Sequence, residues 1–439
     1  MSTLTASRAR PDSRGGRRRG LVREARWRRS AVLLLALASL AEPVVEMLTT
    51  DRAHYIEGAV SAPRPLVEAT TGLSNALIPL VAVSALLAAL LWSRVDGTAL
   101  VLVSLPSLVM TVNEFVHGRA VGPSLLLPAF AGVLLVTARV KFEDLRLLGH
   151  LGAIVAAVSM LGWLVAPAMV LMSAGLAHAE KSVTGAPLLA GIFSHSNLLG
   201  LFLTASLPFA FLERRFLLRW SMVLSIAAAL VLTSSRTALF GAGVVLGAIL
   251  LGWLLPRLAF RAVTAVGLVA LSIAVVQVPF TETDPSAYTE RGGIWMYNIG
   301  LLPGHWLSGL GAWYYSDNYA QFVSALSTAA SHAHNTLLTM LVMGGLALVG
   351  AVVVVLWCAW RGIDGMEDRR HMFVAGAFLL GLLALCVTET TMRFAAWGPL
   401  SACFLVPLFV LVSDWRARTA AGRTSSADPT TSALRAQPT

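Results

Sequence analysis

The sequence predicts an all-α protein, a polytopic bundle of about 12 transmembrane helices. Of its 439 residues, 56% are hydrophobic and only 13% are charged, whereas a soluble protein carries roughly 25% charged residues. The mean hydropathy is +0.74. Long apolar runs recur along the chain, and a helix satisfies the backbone polar groups of such a run within lipid. The composition therefore excludes a soluble domain.

Twelve apolar runs come close to the roughly 17 to 25 residues that a helix needs to cross a bilayer. They cover residues 31–48, 73–92, 98–112, 121–138, 148–172, 190–212, 217–233, 238–256, 260–280, 335–357, 372–388 and 393–412. Glu42 and Pro43 interrupt the first run, and the third is short. A cleavable signal peptide over residues 1–41 is an alternative interpretation, because arginines precede this apolar run and small residues end it.

The distribution of basic residues predicts the orientation. An N-terminus inside the cell places 26 of the 33 Lys and Arg residues on the cytoplasmic side, where basic residues in short loops are retained. Both termini are then cytoplasmic, as an even number of crossings requires. The net charge of +10 reflects this topology and an attraction to the bilayer surface. We expect no nucleic-acid partner.

Composition also divides the chain. Residues 1–30 and 413–439 are rich in Arg, Ser, Thr, Ala and Pro, which predicts disordered cytoplasmic tails around a transmembrane domain at 31–412. Cys358, Cys386 and Cys403 lie in or beside apolar runs. They are predicted to be packing residues without a disulfide or metal framework.

The segment 281–331, between the ninth and tenth runs, is predicted to be a long external loop. Loops of about 50 residues usually carry function or are disordered, and this one contains many aromatic residues suited to lipid headgroups or sugar rings. Tyr319, Phe322, Val323 and Leu326 recur at helical spacing, which predicts a short helix along the membrane. Residues 291–302 can form another, ended by Pro303 and Gly304.

Several polar side chains stand at the predicted external ends of helices. Arg236 lies in the turn TSSRT, and Arg291 lies in ERGGIW. Each could simply be paired with a carboxylate, Arg291 with Glu290 or Glu282, or it could snorkel to the interface. Arg393 has an obvious partner in Glu389.

The stretch SHAHN adds His332, His334 and Asn335 to this face. Histidine is the side chain best suited to proton transfer at neutral pH, and the planar fork of arginine binds phosphate oxygens. Together the residues predict an anionic substrate and a proton-transfer step. His195 and Asn197, in GIFSHSNLLG, are either helix caps or part of the same cavity.

Glu282 and Asp284 have the spacing of an acidic metal motif, but two carboxylates at i and i+2 are common in loops. We therefore expect no metal site and no cofactor.

Four ordered landmarks resemble the O-antigen ligase and polymerase family of bacterial polytopic membrane glycosyltransferases. They are GIFSHSNLLG, LTSSRTALFG with Arg236, RGGIWMYNIGLLPGHWLSGLGAW with Arg291, and SHAHNTLLTMLVMGGLALVG with His334. The resemblance covers residues 185–355 by motif and the remaining chain by topology. The loop at 281–331 is short for this family, and the choice between ligase and polymerase stays open.

The resemblance implies the transfer of a glycan from a polyprenyl-diphosphate carrier to an acceptor hydroxyl of a glycan or glycolipid, on the external face of the bacterial inner membrane. It implies that Arg236 and Arg291 bind the diphosphate and that His334 is the general base. His332 is an alternative base. Further candidates for the acceptor site or cavity are His332, Asn335, His195, Asn197 and Trp295.

Two other functions remain possible on the sequence alone. A transporter or flippase for a glycan, lipid or small solute would place polar residues near the bilayer midplane. A peptidoglycan polymerase would use an acidic residue of the external loop, for which Glu282, Asp284, Glu290 and Asp317 are candidates.

Overall fold

The computed structural model describes residues 13–49, 64–92, 95–172, 182–183, 185, 187–326 and 332–426. Of the described residues, 78% are helical, and no strand occurs among them. The predicted all-α fold class is therefore confirmed.

The described residues form sixteen α-helices. In chain order they are α1 (Ser13–Thr49), α2 (Pro65–Trp92), α3 (Gly97–Val116), α4 (Leu127–Thr137), α5 (Arg146–Val165), α6 (Pro167–Val170), α7 (Ser196–Ala210), α8 (Phe216–Thr233), α9 (Arg236–Leu254), α10 (Arg257–Thr281), α11 (Ala287–Gly300), α12 (Tyr314–Asp317), α13 (Tyr319–Leu326), α14 (Thr336–Asp364), α15 (Arg369–Cys386) and α16 (Ser401–Ser426). Short 3₁₀ turns, Pro123–Leu126 and Phe142–Leu145, lead into α4 and α5.

Nine helices in the described part of the chain are long and apolar enough to cross a membrane. The helix α4 with its 3₁₀ turn, and α7, are apolar but shorter. Each of the twelve predicted runs overlaps a helix, so the chain is a multi-pass membrane protein, while the count of twelve crossings stays a prediction.

The last predicted run is wrong at its beginning. The helix α16 begins at Ser401, and residues 387–400 contain no helix. Gly398 and Pro399 explain the late start, because glycine is a poor helix former and the residue before a proline avoids the helical region. The segment before them reads VTETTMR, a polar stretch between two apolar helices.

The first and last helices extend into the segments predicted to be tails. The helix α1 begins at Ser13, and arginine is a good helix former. Arg28, on this helix, is buried, and its Nε lies 2.8 Å from Asp144. The helix α16 continues to Ser426. Residues 1–12 and 427–439 lie outside the described residues.

The segment after α10 forms short helices close to the predicted positions, namely α11 and α13, with α12 between them. Its aromatic residues pack mainly on one another: Tyr297, Tyr314 and Tyr315 each contact the ring of Phe322. These rings form a small core against α14. Residues 327–331 lie outside the described residues, and the side of the membrane on which the segment lies stays a prediction.

The loop before α12 also joins α14 through the backbone. Gly345 interrupts α14 with φ of 61°, a conformation that glycine adopts without steric cost. The freed groups find partners in the loop. The N–H of Leu310 donates to the carbonyl of Val342 at 2.6 Å, and the N–H of Leu346 donates to the carbonyl of Trp306 at 2.7 Å. The loop is thereby fixed to the helix that carries SHAHN.

The helices that position the polar motifs pack side by side. The helix α9 packs on α15 and α7, and α10 packs on α15. Successive helices run in opposite directions, so the beginnings of α7, α9 and α14 lie at the same end of the bundle as the ends of α8, α10 and α15. The candidate site lies at this end.

Candidate functional site

One carboxylate, Glu389, lies at the centre of the polar residues. Its side chain is 5% exposed. Oε1 accepts hydrogen bonds from the guanidinium of Arg291 and from Nδ2 of Asn197 at 3.4 Å. Oε2 lies 3.3 Å from Nδ1 of His334. Asn197, Arg291, His334 and Glu389 are called the Glu389 cluster below. Three of the four predicted motifs and the segment after α15 therefore meet at one carboxyl group.

The sequence prediction missed Glu389 as a site residue and treated it as the partner of Arg393. The guanidinium that contacts Glu389 is that of Arg291, while Arg393 lies near enough for its charge to act on Glu389. A signal was present, because TETTMR interrupts two apolar runs. In a membrane protein, a polar segment between two apolar helices is a candidate for a functional site, because polar residues are costly there.

Left-handed backbone conformations lie at or near the predicted base His334 and the predicted diphosphate ligands Arg236 and Arg291. Tyr288, Thr289 and Glu290 have φ of 53°, 63° and 67°, immediately before Arg291. Ser234, two residues before Arg236, has φ of 51°, and His334 itself has φ of 48°. Such conformations cost roughly 1–2 kcal/mol for a residue with a side chain. Strain of this kind persists where the surroundings enforce it, often at functional sites.

The glycine after Arg291 permits a close approach of the chain. A Cβ atom on Gly292 would lie 1.9 Å from the carbonyl oxygen of Asp284, so another residue at this position would displace the start of α11. The glycine of the RGG motif thereby helps to set the orientation of the Arg291 side chain.

The charges of the Glu389 cluster keep its carboxyl group ionised. Burial raises the pKa of Glu389, but the Arg291 guanidinium and the hydrogen bond and charge of His334 outweigh it and lower the pKa to about 2. Because the carboxylate accepts, Nδ1 of His334 is the protonated nitrogen in this hydrogen bond, and Nε2 carries the free lone pair of the neutral ring.

His332 occupies a different position. Its Nδ1 accepts the backbone N–H of His334 at 3.1 Å and lies 3.4 Å from the hydroxyl of Thr390. The two imidazole rings are 4.3 Å apart. Burial, and then the charges of His334, Arg393 and Arg291, hold the pKa of His332 well below its usual range. His332 is therefore a neutral neighbour that fixes the backbone of His334.

The two predicted arginines lie in contrasting surroundings. The side chain of Arg291 is 14% exposed, and its Nη1 donates to the hydroxyl of Thr237 at 3.2 Å. Arg236, the residue before Thr237, is exposed in the first turn of α9. The N-terminus of a helix carries a partial positive charge and free N–H groups, so this turn and Arg236 form a positive region that adjoins Arg291 of the Glu389 cluster.

His195 and Asn197 both face this region. Nδ1 of His195 accepts the N–H of Asn197 at 3.0 Å, which caps α7, and the charge of His195 acts on Glu389. The cap and the cavity were alternatives in the sequence prediction. The structure shows the cap and the contact of Asn197 with Glu389, and a part in a substrate cavity stays a prediction.

Asn335 and Trp295 hold the backbone of SHAHN. Both are fully buried. Nδ2 of Asn335 donates to the carbonyls of Val275 at 3.1 Å and Val387 at 2.9 Å, while its Oδ1 caps α14 by accepting the N–H of Leu338 at 2.9 Å. Nε1 of Trp295 donates to the carbonyl of His334 at 3.4 Å. These contacts position His334, and a role of either side chain at the acceptor or cavity stays a prediction.

His332, His334 and Glu389 offer ligand atoms within 4.8 Å of one another, enough for a metal ion by distance. Their surroundings fit a cation poorly, because Arg291 already pairs with Glu389 and the charge of Arg393 acts on the same site. Glu282 and Asp284 are engaged locally. Each accepts a nearby backbone N–H at 2.9 Å, as is typical of a turn.

Comparison with known proteins identifies the region that carries these residues. Residues 220–349 match the family model described as O-antigen ligase. The matched region includes Arg236, Arg291 and His334 and ends before Glu389. A search of curated proteins finds no match. The family match points to a membrane enzyme of the O-antigen ligase type. It confirms the resemblance seen in the sequence, so this multi-pass membrane protein is O-antigen ligase-like over residues 220–349.

Proposed function

We propose that the protein is a glycosyltransferase that moves a glycan from a polyprenyl-diphosphate carrier to an acceptor hydroxyl at the external face of the membrane. The observation that carries the proposal is the Glu389 cluster. It holds a histidine and an arginine on one carboxylate, beside an exposed second arginine. The histidine and both arginines lie inside the region that matches the O-antigen ligase family.

His334 is the general base. Glu389 holds Nδ1–H, so Nε2 is the atom that takes the proton from the acceptor hydroxyl. The carboxylate also stabilises the imidazolium that results, as in other histidine–carboxylate pairs. His332 is a weaker candidate, because its lowered pKa makes the ring a weaker proton acceptor and its Nδ1 already accepts a backbone N–H.

Arg236 and Arg291 hold the diphosphate. Arg236 is exposed and lies at the start of α9, where helix N–H groups and a guanidinium can bind phosphate oxygens together. Arg291 gives part of its donors to Glu389 and Thr237. Since arginine has five N–H donors, the remaining ones are available to the diphosphate of the substrate. Arg291 thereby contacts both the carboxylate that holds the base and the leaving group.

The reaction is then a direct displacement. The acceptor oxygen forms a bond to the anomeric carbon as the bond between that carbon and the diphosphate oxygen breaks. The bonding pair leaves with the diphosphate, and the acceptor proton moves to Nε2 of His334. The configuration at the anomeric carbon inverts. Catalysis consists of positioning, charge stabilisation and one proton transfer.

An apolar groove supports a lipid-linked donor. It has a volume of about 710 Å³ and lies between α10, α14 and α15, with Ile273, Val276, Trp357, Leu379 and Leu383 among its lining residues. Leu383 precedes Glu389 by less than two helical turns along the chain. The groove therefore offers a place for the polyprenyl chain while the diphosphate lies at the Glu389 cluster.

The test is a transfer reaction with purified protein in lipid nanodiscs. A polyprenyl-diphosphate oligosaccharide is supplied with glycan or glycolipid acceptors, and the release of lipid diphosphate is followed. We expect acceptor-dependent release that His334→Ala abolishes. Failure of every acceptor, together with solute flux or glycolipid flipping in liposomes, would favour the transporter or flippase alternative.

A further inference from the structure

The opposite end of the same helices carries a second concentration of arginines that the proposed reaction does not use. Arg214, Arg215 and Arg219 lie at the start of α8, and Arg369 and Arg370 lie at the start of α15. The helix α8 has 18 residues and is therefore roughly 27 Å long, close to the thickness of the hydrocarbon core. These residues thus lie at the membrane face away from the Glu389 cluster.

Arg214, Arg219 and Arg370, called the Arg219 cluster below, have an excess of positive charge. They lie near enough for the charges of Arg214 and Arg219 to act on Arg370. Arg370 donates to the carbonyl of Glu213 at 2.8 Å. Nε of Arg219 is buried and has no hydrogen-bond partner among the described residues. An unpaired buried donor is costly, and three neighbouring guanidinium groups repel one another unless an anion lies between them.

The nearby carboxylates are engaged elsewhere. Glu213 lies 3.0 Å from Nε2 of His150 and accepts the N–H of Arg215 at 2.9 Å. Asp368 caps α15 by accepting the N–H of Arg370 at 2.7 Å. On the neighbouring element, Glu143 and Asp144 lie within 3.6 Å and 2.8 Å of the buried Arg28. The charges of Asp368 and Glu213 also act on Arg370, but none of these acids forms an ion pair with the Arg219 cluster in the described part of the chain.

An apolar surface adjoins these charges. Phe216 and Leu217, in the first turn of α8, are 62% and 81% exposed, and Trp253 is 42% exposed. Trp220 packs against Phe216 and Trp253 with ring centroids 6.3 Å and 6.2 Å apart. Tryptophan and arginine together are typical of the membrane interface. The first turn of α8 also lacks a side-chain cap, so its N–H groups favour an anion.

We propose that the Arg219 cluster binds the phosphate of an anionic glycerophospholipid in the leaflet opposite the reaction site. The phosphate oxygens accept from Nε of Arg219 and from the guanidinium groups of Arg214 and Arg370. The acyl chains lie against Phe216, Leu217 and Trp253. The apolar surface distinguishes this ligand from a free phosphate ion, which would gain nothing from it. Binding there fixes the ends of α8 and α15, whose other ends carry site residues.

Native mass spectrometry of the full chain tests this proposal, with dioleoylphosphatidylglycerol, dioleoylphosphatidylcholine and inorganic phosphate as separate probes. We expect the wild-type protein to prefer the anionic lipid over the zwitterionic one by about tenfold or more, since each arginine near the surface contributes measurably. The double variant Arg214→Gln/Arg219→Gln should lose this preference. It keeps the bond between Arg370 and Glu213, which protects the fold.

Arg361→Gln is the matched control, because Arg361 lies at the same end of the bundle and also beside a tryptophan, 5.9 Å from the Trp357 ring. It should retain the preference. An unchanged preference in the double variant, or an equal loss in the control, would overturn the proposal. Full displacement of the lipid by inorganic phosphate at equal concentration would also overturn it, by identifying a free anion as the ligand.

Discussion

The two ends of the helix bundle each contain a histidine paired with a buried glutamate, and the two pairs differ in their surroundings. His334 and Glu389 are 3.3 Å apart, and His150 and Glu213 are 3.0 Å apart. The two carboxyl groups are 5% and 9% exposed. In both glutamates burial raises the pKa of the carboxyl group, but hydrogen bonds and neighbouring charges outweigh burial and lower the pKa overall. Both groups therefore remain carboxylates.

The difference lies in the other partners. Glu213 accepts the backbone N–H of Arg215, the residue that immediately precedes α8. Glu389 accepts from the guanidinium of Arg291 and from Asn197, with three left-handed residues immediately before Arg291. A histidine–carboxylate pair is therefore no site by itself. A guanidinium that donates to the carboxylate itself and the left-handed backbone distinguish the pair at SHAHN, and the pair at the other end supplies matched controls.

The largest difference is expected between the two histidines. His334→Ala should lower the rate of transfer by about 10²–10⁴-fold, the usual contribution of a general base. His150→Ala should leave the rate within about twofold of the wild-type value, since His150 takes no part in the proton transfer. The measurement is the release of lipid diphosphate in nanodiscs, with unfolding curves to show that both variants are folded. Equal losses would remove the distinction between the two pairs.

The two glutamates should differ next. Glu389→Gln removes the negative charge and turns one of the two acceptor oxygens into an NH₂ donor, so Arg291 and His334 can no longer both be served and the tautomer of His334 is no longer fixed. Transfer should fall by about 10²-fold. Leaving Arg291 without its buried partner should also lower the free energy of unfolding by roughly 3–5 kcal/mol. Glu213→Gln should lower the free energy of unfolding but leave the rate of transfer by the folded protein unchanged. A rate that follows stability alone in both variants would contradict a role for Glu389 in catalysis.

The arginines give a smaller, graded effect. Arg236→Lys and Arg291→Lys keep the charge but lose the planar fork, and each should lower kcat/KM by about tenfold, the equivalent of one charge-assisted hydrogen bond. The loss at Arg236 should appear in donor binding, because that side chain has no role in holding Glu389. Full activity in both lysine variants would refute the bidentate contact with the diphosphate. Arg361→Lys is the control.

His332→Ala should weaken transfer less than His334→Ala, by about tenfold, since it removes the acceptor for the N–H of His334 but leaves Nε2 of His334 in place. His332→Asn, which keeps an acceptor close to the backbone, should recover part of the rate. Loss of activity equal to that of His334→Ala would reopen the choice of base.

The smallest effect concerns acid stability. The pKa of Glu389 is about 2 in the folded protein, below its ordinary value of 4.5, so its stabilisation is complete above pH 4.5 and is lost as the pH falls toward 2. Unfolding measured at pH 6 and at pH 3 should show a larger loss for the wild-type protein than for Glu389→Gln. Equal losses would mean that the pairing with Arg291 does not persist in solution.

The helices could be predicted because every backbone N–H and C=O group within lipid must form a hydrogen bond inside its own segment. Every apolar run overlaps a helix, and Arg236, Arg291 and His334 stand out as polar residues where lipid penalises them. Glu389 was harder to find, because its partners Asn197, Arg291 and His334 lie 192, 98 and 55 residues away. The periodicity of apolar residues indicates only local structure. For the same reason the last helix was predicted to begin at residue 393, eight residues before its observed start at Ser401.

Asn335 and Trp295 illustrate the same limit. Their residue types suggested a ligand cavity, and in the structure Trp295 donates to the carbonyl of His334 and Asn335 donates to the carbonyl of Val387. Sequence alone cannot separate a polar residue that contacts substrate from one that holds the residue that does, since both are unusual in lipid.

The coupling between His334 and Glu389 tests the central claim most directly. The release of lipid diphosphate is measured for the wild-type protein, His334→Ala, Glu389→Gln and the double variant, with His150→Ala and Glu213→Gln as the control pair. If the two residues act as one unit, the double variant should be no slower than His334→Ala, because residues that act together are not additive. Losses that multiply in the double variant would show that Glu389 does not act through His334.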